Sequence, residues 1–231
     1  MYVPPISNKF TYRDYQRIEG GSEGRLYSTP SGNLPSVTTI LSATQDNSAL
    51  EAWRSYVGEK AANEITLEAT TGGTFMHENL ERRLIGEPDH AGGMPIRVLA
   101  RRMADIIQEN AWPNISEVYG MEVPLYYPGL WAGTTDLVGI HNGIPSIMDY
   151  KNSRKKKTWN HIENYRMQLA AYALAHNELY GTDIKRGVIF VCVRGDTENL
   201  QYQEFVVEGK DFEEAIDMWL DRVEQYYNIR K

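Results

Sequence analysis

The order of elements legible in the sequence predicts an α/β (α+β) fold, with a mixed central sheet flanked by helices and a helical elaboration at the N-terminal end. Three observations carry this reading. Apolar residues recur at helical spacing between about residues 47 and 110. The pattern then changes to period two over three successive runs. A long helical segment follows, then two more strand-like runs and a last amphipathic helix.

Taken in order, the turn-rich segment with Gly20, Gly21, Gly24, Pro30, Gly32 and Pro35 predicts a short hairpin. A first helix is expected from Asp46 or Asn47, either able to cap it, through Leu50, Trp53, Val57, Ala61 and Ile65. A second is expected after Gly72-Gly73, with Thr74 as N-cap and Gly86-Glu87-Pro88 as its stop. Ile96, Leu99, Met103, Ile106, Ile107 and Asn110 form a third, ending before Trp112-Pro113. Val123 and Leu125 then alternate with Glu122 and Pro124, and further strand runs cover Trp131 to Ile140 and Ile144 to Lys151. A helix from about Trp159 to Tyr180 is stopped by Gly181. Strands from Val188 to Val193 and from Leu200 to Val207 come next. The last helix has Phe212, Ala215, Ile216, Trp219, Val223 and Tyr226 on one face. One domain is expected over residues 1–231, with 1–72 the hairpin and helical elaboration and 73–231 the core with its C-terminal helix.

Composition narrows the function classes. Of 231 residues, 42% are apolar, ample for a core and unlike a disordered or collagen-like chain. No apolar run approaches the roughly 20 residues that span a bilayer. The first twenty residues lack the apolar stretch of a signal peptide and carry Asp14 and Glu19. An intracellular protein is therefore expected. Cys192 is the single cysteine, which leaves no internal disulfide and no iron–sulfur cluster; it reads as a small buried hydrophobe. A net charge of −7 argues against a generic nucleic-acid coat protein but says nothing about a local basic site.

The chemistry concentrates between Gly133 and Lys151. Asn142-Gly143 between two apolar runs signals a two-residue type I′ hairpin. Partners across it then have numbers summing to 285, which sets Asp136 opposite Asp149. Carboxylates so placed lie about 5 Å apart at Cβ and repel. Either one is protonated or a cation lies between them. Lys151 shares the face of Asp149, while Tyr150 points the other way. Paired oxygen ligands suit Mg²⁺ or Mn²⁺, and an adjacent lysine can neutralise charge at a phosphorus. On charge alone, an exposed hairpin whose lysine compensates two acids stays equally open. Gln168 and Tyr172, with Tyr165, share one face of the following helix, and His77 and Glu81 are four apart upstream; each pair in isolation reads as ordinary helix surface.

Asp136, Asp149-Tyr150-Lys151, Gln168-Leu-Ala-Ala-Tyr172 and His77 in GTFMHENLE together resemble, in order and spacing, the motifs of the PD-(D/E)XK nuclease superfamily, RecB-like branch. The segment LPSVTTIL, the helix with Trp53 and the histidine motif resemble more narrowly the mitochondrial genome maintenance exonuclease and its phage and bacterial relatives, over about Leu34 to Tyr180. The resemblance implies a restriction-endonuclease-like core with an arch-like N-terminal elaboration. It implies Asp136 and Asp149 as acidic metal ligands, with the Tyr150 carbonyl and His77 completing the site. Lys151 becomes the catalytic lysine, with Gln168 orienting it and Tyr172 contacting the substrate backbone. Glu122 reads more readily as a strand-edge glutamate than as an added ligand.

The implied activity is Mg²⁺- or Mn²⁺-dependent exonucleolytic hydrolysis of DNA, preferably single-stranded, in replication, recombination or repair, with a replication or recombination protein as a possible partner. The run Ser153, Arg154, Lys155, Lys156 and Lys157 emerges beside the expected site and is assigned to the phosphate backbone. Trp159, Tyr165 and Tyr172 are weaker candidates for base stacking. The alternative is a noncatalytic nucleic-acid-binding or recombination scaffold that kept the fold.

Overall fold

The computed structural model describes residues 1–19, 21, 24–195 and 199–230; Gly20, assigned above to the first turn, lies outside them. The expected hairpin extends to three strands, β1 (Gln16–Glu19), β2 (Arg25–Thr29) and β3 (Gly32–Pro35), in an antiparallel meander. Arg17 pairs with Tyr27 and Glu19 with Arg25. Ser36 ends this sheet and joins it to the larger one through a parallel bridge to Ala132.

Ser36 also caps a helix that the sequence reading does not assign, α1 (Val37–Thr44). Its Oγ accepts the Thr39 amide at 3.0 Å, supplying an otherwise orphaned donor with a partner. The next helix, α2 (Ser48–Val57), begins where expected, and Asp46 makes the bond: its carboxylate accepts the Ser48 amide at 2.8 Å. It is shorter than expected. Gly58, at φ 84°, turns the chain, so Ala61 and Ile65 belong to α3 (Glu59–Leu84).

Helix α3 overturns the expected start at Gly72-Gly73. It runs unbroken through the pair, and Thr74 bonds the Thr70 carbonyl inside the helix instead of capping its end. Close packing outweighs the weak helix propensity of glycine here: a Cβ on Gly73 would stand 2.6 Å from Asn152 Nδ2. Helix α4 (Pro95–Asn110) matches its expected span.

The central sheet contains β4 (Ile115–Tyr127), β5 (Trp131–His141), β6 (Ile144–Ser153), β7 (Arg186–Val193) and β8 (Gln201–Glu208), adjacent in that order. All neighbours are antiparallel except β6 and β7, whose parallel pairing requires the crossover helix α5 (Glu163–Tyr180). Helix α6 (Lys210–Ile229) closes the chain. One face of the sheet is covered by α1, α5 and α6, burying Ile40, Leu169, Val191 and Trp219. The other is covered by α3 and α4, burying Leu80, Met103, Ile107, Phe190 and Cys192. The thiol is pushed up to about 12 by that burial, as befits an inert core residue. Pro5 and Ser7 hydrogen-bond Val118, covering part of the outer edge of β4. Among the described residues, no helix is long and apolar enough to cross a membrane.

Candidate active site

The β5–β6 hairpin forms as its turn dictates. Asn142 and Gly143 both have positive φ, 48° and 79°, the requirement of a type I′ turn. The ladder runs from His141–Ile144 to Leu137–Met148, every pair summing to 285. One step further stand Asp136 and Asp149. There the ladder ends, and the Tyr150 amide donates to Asp136 Oδ2 at 2.6 Å.

Each neighbouring element adds one group. From α3, His77 Nδ1 comes within 3.5 Å of Asp136 Oδ1, its ring set edge-on against Tyr150. From β6, Lys151 Nζ lies 2.5 Å from Asp149 Oδ2 and over the Tyr165 ring of α5. Also on α5, Gln168 Nε2 donates to the Tyr172 hydroxyl at 3.2 Å. Tyr172 reaches this place because Gly133 on β5 has no side chain; a Cβ there would stand 2.8 Å from the tyrosine ring. Lys151 is thus held by Asp149 and Tyr165, while the observed partner of Gln168 is Tyr172, not the lysine.

Glu122 corrects the expectation of an idle strand-edge acid. It lies between the pairs Met121–Leu137 and Val123–Thr135, hence opposite Asp136. Its φ of 46° is uncommon for a residue with a side chain and costs about 1–3 kcal/mol. Ligand atoms of His77, Glu122 and Asp136 all lie within 4.8 Å of one another. One imidazole nitrogen and two carboxylates form a donor set suited to a hard divalent cation. Asp149, expected in that set, adjoins it but is ion-paired with Lys151. The register could have flagged Glu122: a turn at Pro128-Gly129-Leu130 pairs residues summing to 258, which sets 122 against 136.

Charge in the site is divided by position. Burial opposes ionisation of Asp136, yet His77, Lys151 and the Tyr150 amide outweigh it and hold the carboxyl below its ordinary value. Burial alone would suppress the His77 cation, but the Asp136 charge raises its pKa to about 9. For Asp149, burial dominates over Lys151 and moves it up to about 6. Glu122, although open at the cleft mouth, is pushed up to about 8 by the desolvating walls and then by Asp136 and Glu81. Glu81 is also raised, chiefly by burial. Lys151 stays a cation against its burial because Asp149 and Asp136 face it. His77 and Lys151 thus supply the positive charge that the opposed aspartates require, and a metal bound at His77 takes the place of its proton.

His77, Glu122, Asp136, Gln168 and Tyr172 line a cleft of about 520 Å³; Asp149 and Lys151 adjoin that lining but are not part of it. The expected basic run is not part of that lining. Arg154, Lys155 and Lys156 are exposed on the turn after β6, and the Ser153 hydroxyl is committed to it, donating to the Lys155 carbonyl at 2.7 Å. Lys157 is tied by its backbone to the Gln203 side chain of β8. One face of the Trp159 ring is taken by the Arg166 guanidinium. Besides His77, the cationic side chains lining the cleft among the described residues are Arg17 and Arg25, which the sequence reading does not single out.

No curated protein matches the chain significantly. Among solved structures, a protein of Eubacterium rectale provisionally described as an exonuclease superposes with a TM-score of 0.50 at 16% identity, over 70% of this chain and 68% of its own. That likeness is one of fold. The family profile of the PD-(D/E)XK nuclease superfamily matches residues 41–228, from within α1 to the last turn of α6, a span that includes His77, Glu122, Asp136, Asp149 and Lys151. The chain belongs to the PD-(D/E)XK nuclease superfamily.

Proposed function

We propose that this nuclease is a divalent-metal-dependent exonuclease that hydrolyses DNA phosphodiester bonds, prefers single strands and acts in replication, recombination or repair in a bacterial or phage-infected cytoplasm. The observation that carries the reading is the His77, Glu122 and Asp136 cluster, with the Asp149–Lys151 ion pair adjoining it. The exonuclease description of the E. rectale protein supports the mode of attack. The resemblance of Leu34 to Tyr180 to single-strand exonucleases supports the substrate.

His77, Glu122 and Asp136, with Asp149 and the Tyr150 carbonyl adjoining, would hold Mg²⁺ or Mn²⁺. Such an ion, when bound, polarises a phosphoryl oxygen and acidifies water. The chain's own groups do the rest. Lys151 presents a fixed ammonium to a phosphate gaining negative charge, and Asp149 keeps that ammonium charged and in place. The Tyr150 amide fixes the Asp136 carboxylate, so the acid is oriented before any ligand arrives. Gln168 and Tyr172 form a rigid polar floor beneath.

The test is single-turnover digestion of end-labelled single-stranded and duplex DNA with Mg²⁺ or Mn²⁺. Wild type is expected to release nucleotides from single-stranded ends faster than from duplex. Lys151→Ala and Asp149→Ala are each expected to slow it by at least about 10²-fold. Undiminished cleavage by both variants refutes the assignment, and wild-type binding without cleavage establishes the scaffold reading in its place.

A further inference from the structure

The cleft has a second wall, and it belongs to the small N-terminal sheet. On paired antiparallel strands alternate residues share a face. Because Arg17 pairs with Tyr27 and Glu19 with Arg25, these four side chains stand on one face of β1 and β2, with Tyr15 just before the strand continuing the row. Tyr15, Arg17, Arg25 and Tyr27 all line the cleft that holds Asp136 and His77. The wall is fixed. Tyr27 is buried and its hydroxyl meets Thr134 Oγ1 at 3.2 Å, two residues from Asp136. The backbone of Arg25 is clamped to Thr39 of α1 by reciprocal bonds of 3.0 Å.

The charges on this wall are arranged for an anion. Opposite lie the acids; here lie two guanidiniums joined by one exposed carboxylate. Glu19 Oε1 is 2.7 Å from Arg17 and 4.0 Å from Arg25, and its side chain is 70% exposed. Among the described residues, one surface acid shared by two arginines leaves most of their donors free, and a phosphate matches that fork geometry better than a single shared oxygen does. The catalytic acids repel a polyanion, so a strand needs cationic contacts elsewhere to enter. On the wall away from the acids, these two arginines supply them.

Resting on the nuclease reading of the cleft, we infer that Arg17 and Arg25 form a phosphate clamp that holds the DNA strand at a phosphate flanking the scissile one, with Glu19 occupying the clamp until DNA displaces it. The clamp assigns backbone positioning to the small sheet, and not to the basic run after β6.

The experiment measures binding of a fluorescent 12-nucleotide oligothymidylate to Lys151→Ala protein with Mn²⁺ over a salt series, with wild-type cleavage of the same strand run in parallel. Adding Arg17→Gln and Arg25→Gln together is expected to weaken binding on the order of tenfold and to reduce the salt slope by about 1.4, that is about 0.7 for each lost phosphate contact. Glu19→Gln, at an exposed position, is expected to strengthen binding severalfold, an effect of opposite sign that a purely structural ion pair would not give. Cleavage by wild type with unchanged affinity and slope in the arginine variant, or weaker binding in Glu19→Gln, overturns the clamp and leaves the nuclease reading standing. Absence of wild-type cleavage overturns both.

Discussion

Replacing His176 by glutamine is expected to flatten the acid limb of the protein's stability. This imidazole is fully buried on α5 between Phe10, Tyr12 and Tyr180, with Nδ1 2.8 Å from Thr182 Oγ1 and Nε2 3.0 Å from the Tyr12 hydroxyl. Among the described residues no carboxylate faces it, so burial depresses its pKa from 6.5 to about 4. The unfolded chain then binds a proton that the folded chain refuses between those values. Stability is therefore complete above the unfolded pKa, falls as pH drops through the window, and loses no more below the folded value. A gap of about 2.5 units at about 1.36 kcal/mol each amounts to roughly 3 kcal/mol, of which about 2 kcal/mol is lost by pH 5. The assay is urea unfolding followed by tryptophan fluorescence at pH 7.5 and 5.0, for wild type and His176→Gln. Glutamine can still meet Thr182 and Tyr12 but does not titrate. Wild type is expected to lose about 2 kcal/mol more than the variant over that interval. Parallel losses in the two proteins refute the assignment of a neutral, desolvated imidazole.

Three further outcomes are expected. Gly133→Ala sets a Cβ 2.8 Å from the Tyr172 ring, so the variant should lose about 1–3 kcal/mol in urea unfolding and cleave more slowly as Tyr172 and Gln168 shift; unchanged values in both assays contradict the close approach. Tyr150→Phe removes the acceptor 3.0 Å from the buried Trp112 indole nitrogen and should cost about 1–3 kcal/mol. Because the Tyr150 carbonyl and amide survive that change, the single-turnover cleavage rate should stay within about twofold of wild type. Glu122→Gln should lower Mn²⁺ affinity by at least about tenfold in titration calorimetry, whereas Glu78→Gln, outside the donor cluster, should not.

Much of the core was legible because its signals are local. The Asn142-Gly143 turn set the register that brings Asp136 and Asp149 together, period-two runs located β5, β6 and β8, and a continuous apolar run located β7. Helices α4 and α6 announced themselves by a single apolar face. What escaped depends on contacts between distant segments. The Gly72-Gly73 pair reads as a break until Asn152 of β6 is seen packed against it. Helix α1 starts with the β-branched run Val37, Thr38, Thr39 and Ile40, and its N-cap Ser36 is also the bridge to Ala132. The basic run drew attention because four cations in succession are conspicuous. Arg17 and Arg25 are not, since they become neighbours in the cleft only when β1 and β2 pair.

The continuity of α3 has a mechanical side. Its 26 residues span about 39 Å as a single rod, with Ala62 alone buried in the stretch before Gly72, whereas the second half is wedged under the sheet and carries His77. A rod without a hinge transmits rotation along its length. The packed half, anchored by Met76 and Leu80 on either side of His77, holds the imidazole toward Asp136 and at the same time sets the heading of the exposed start.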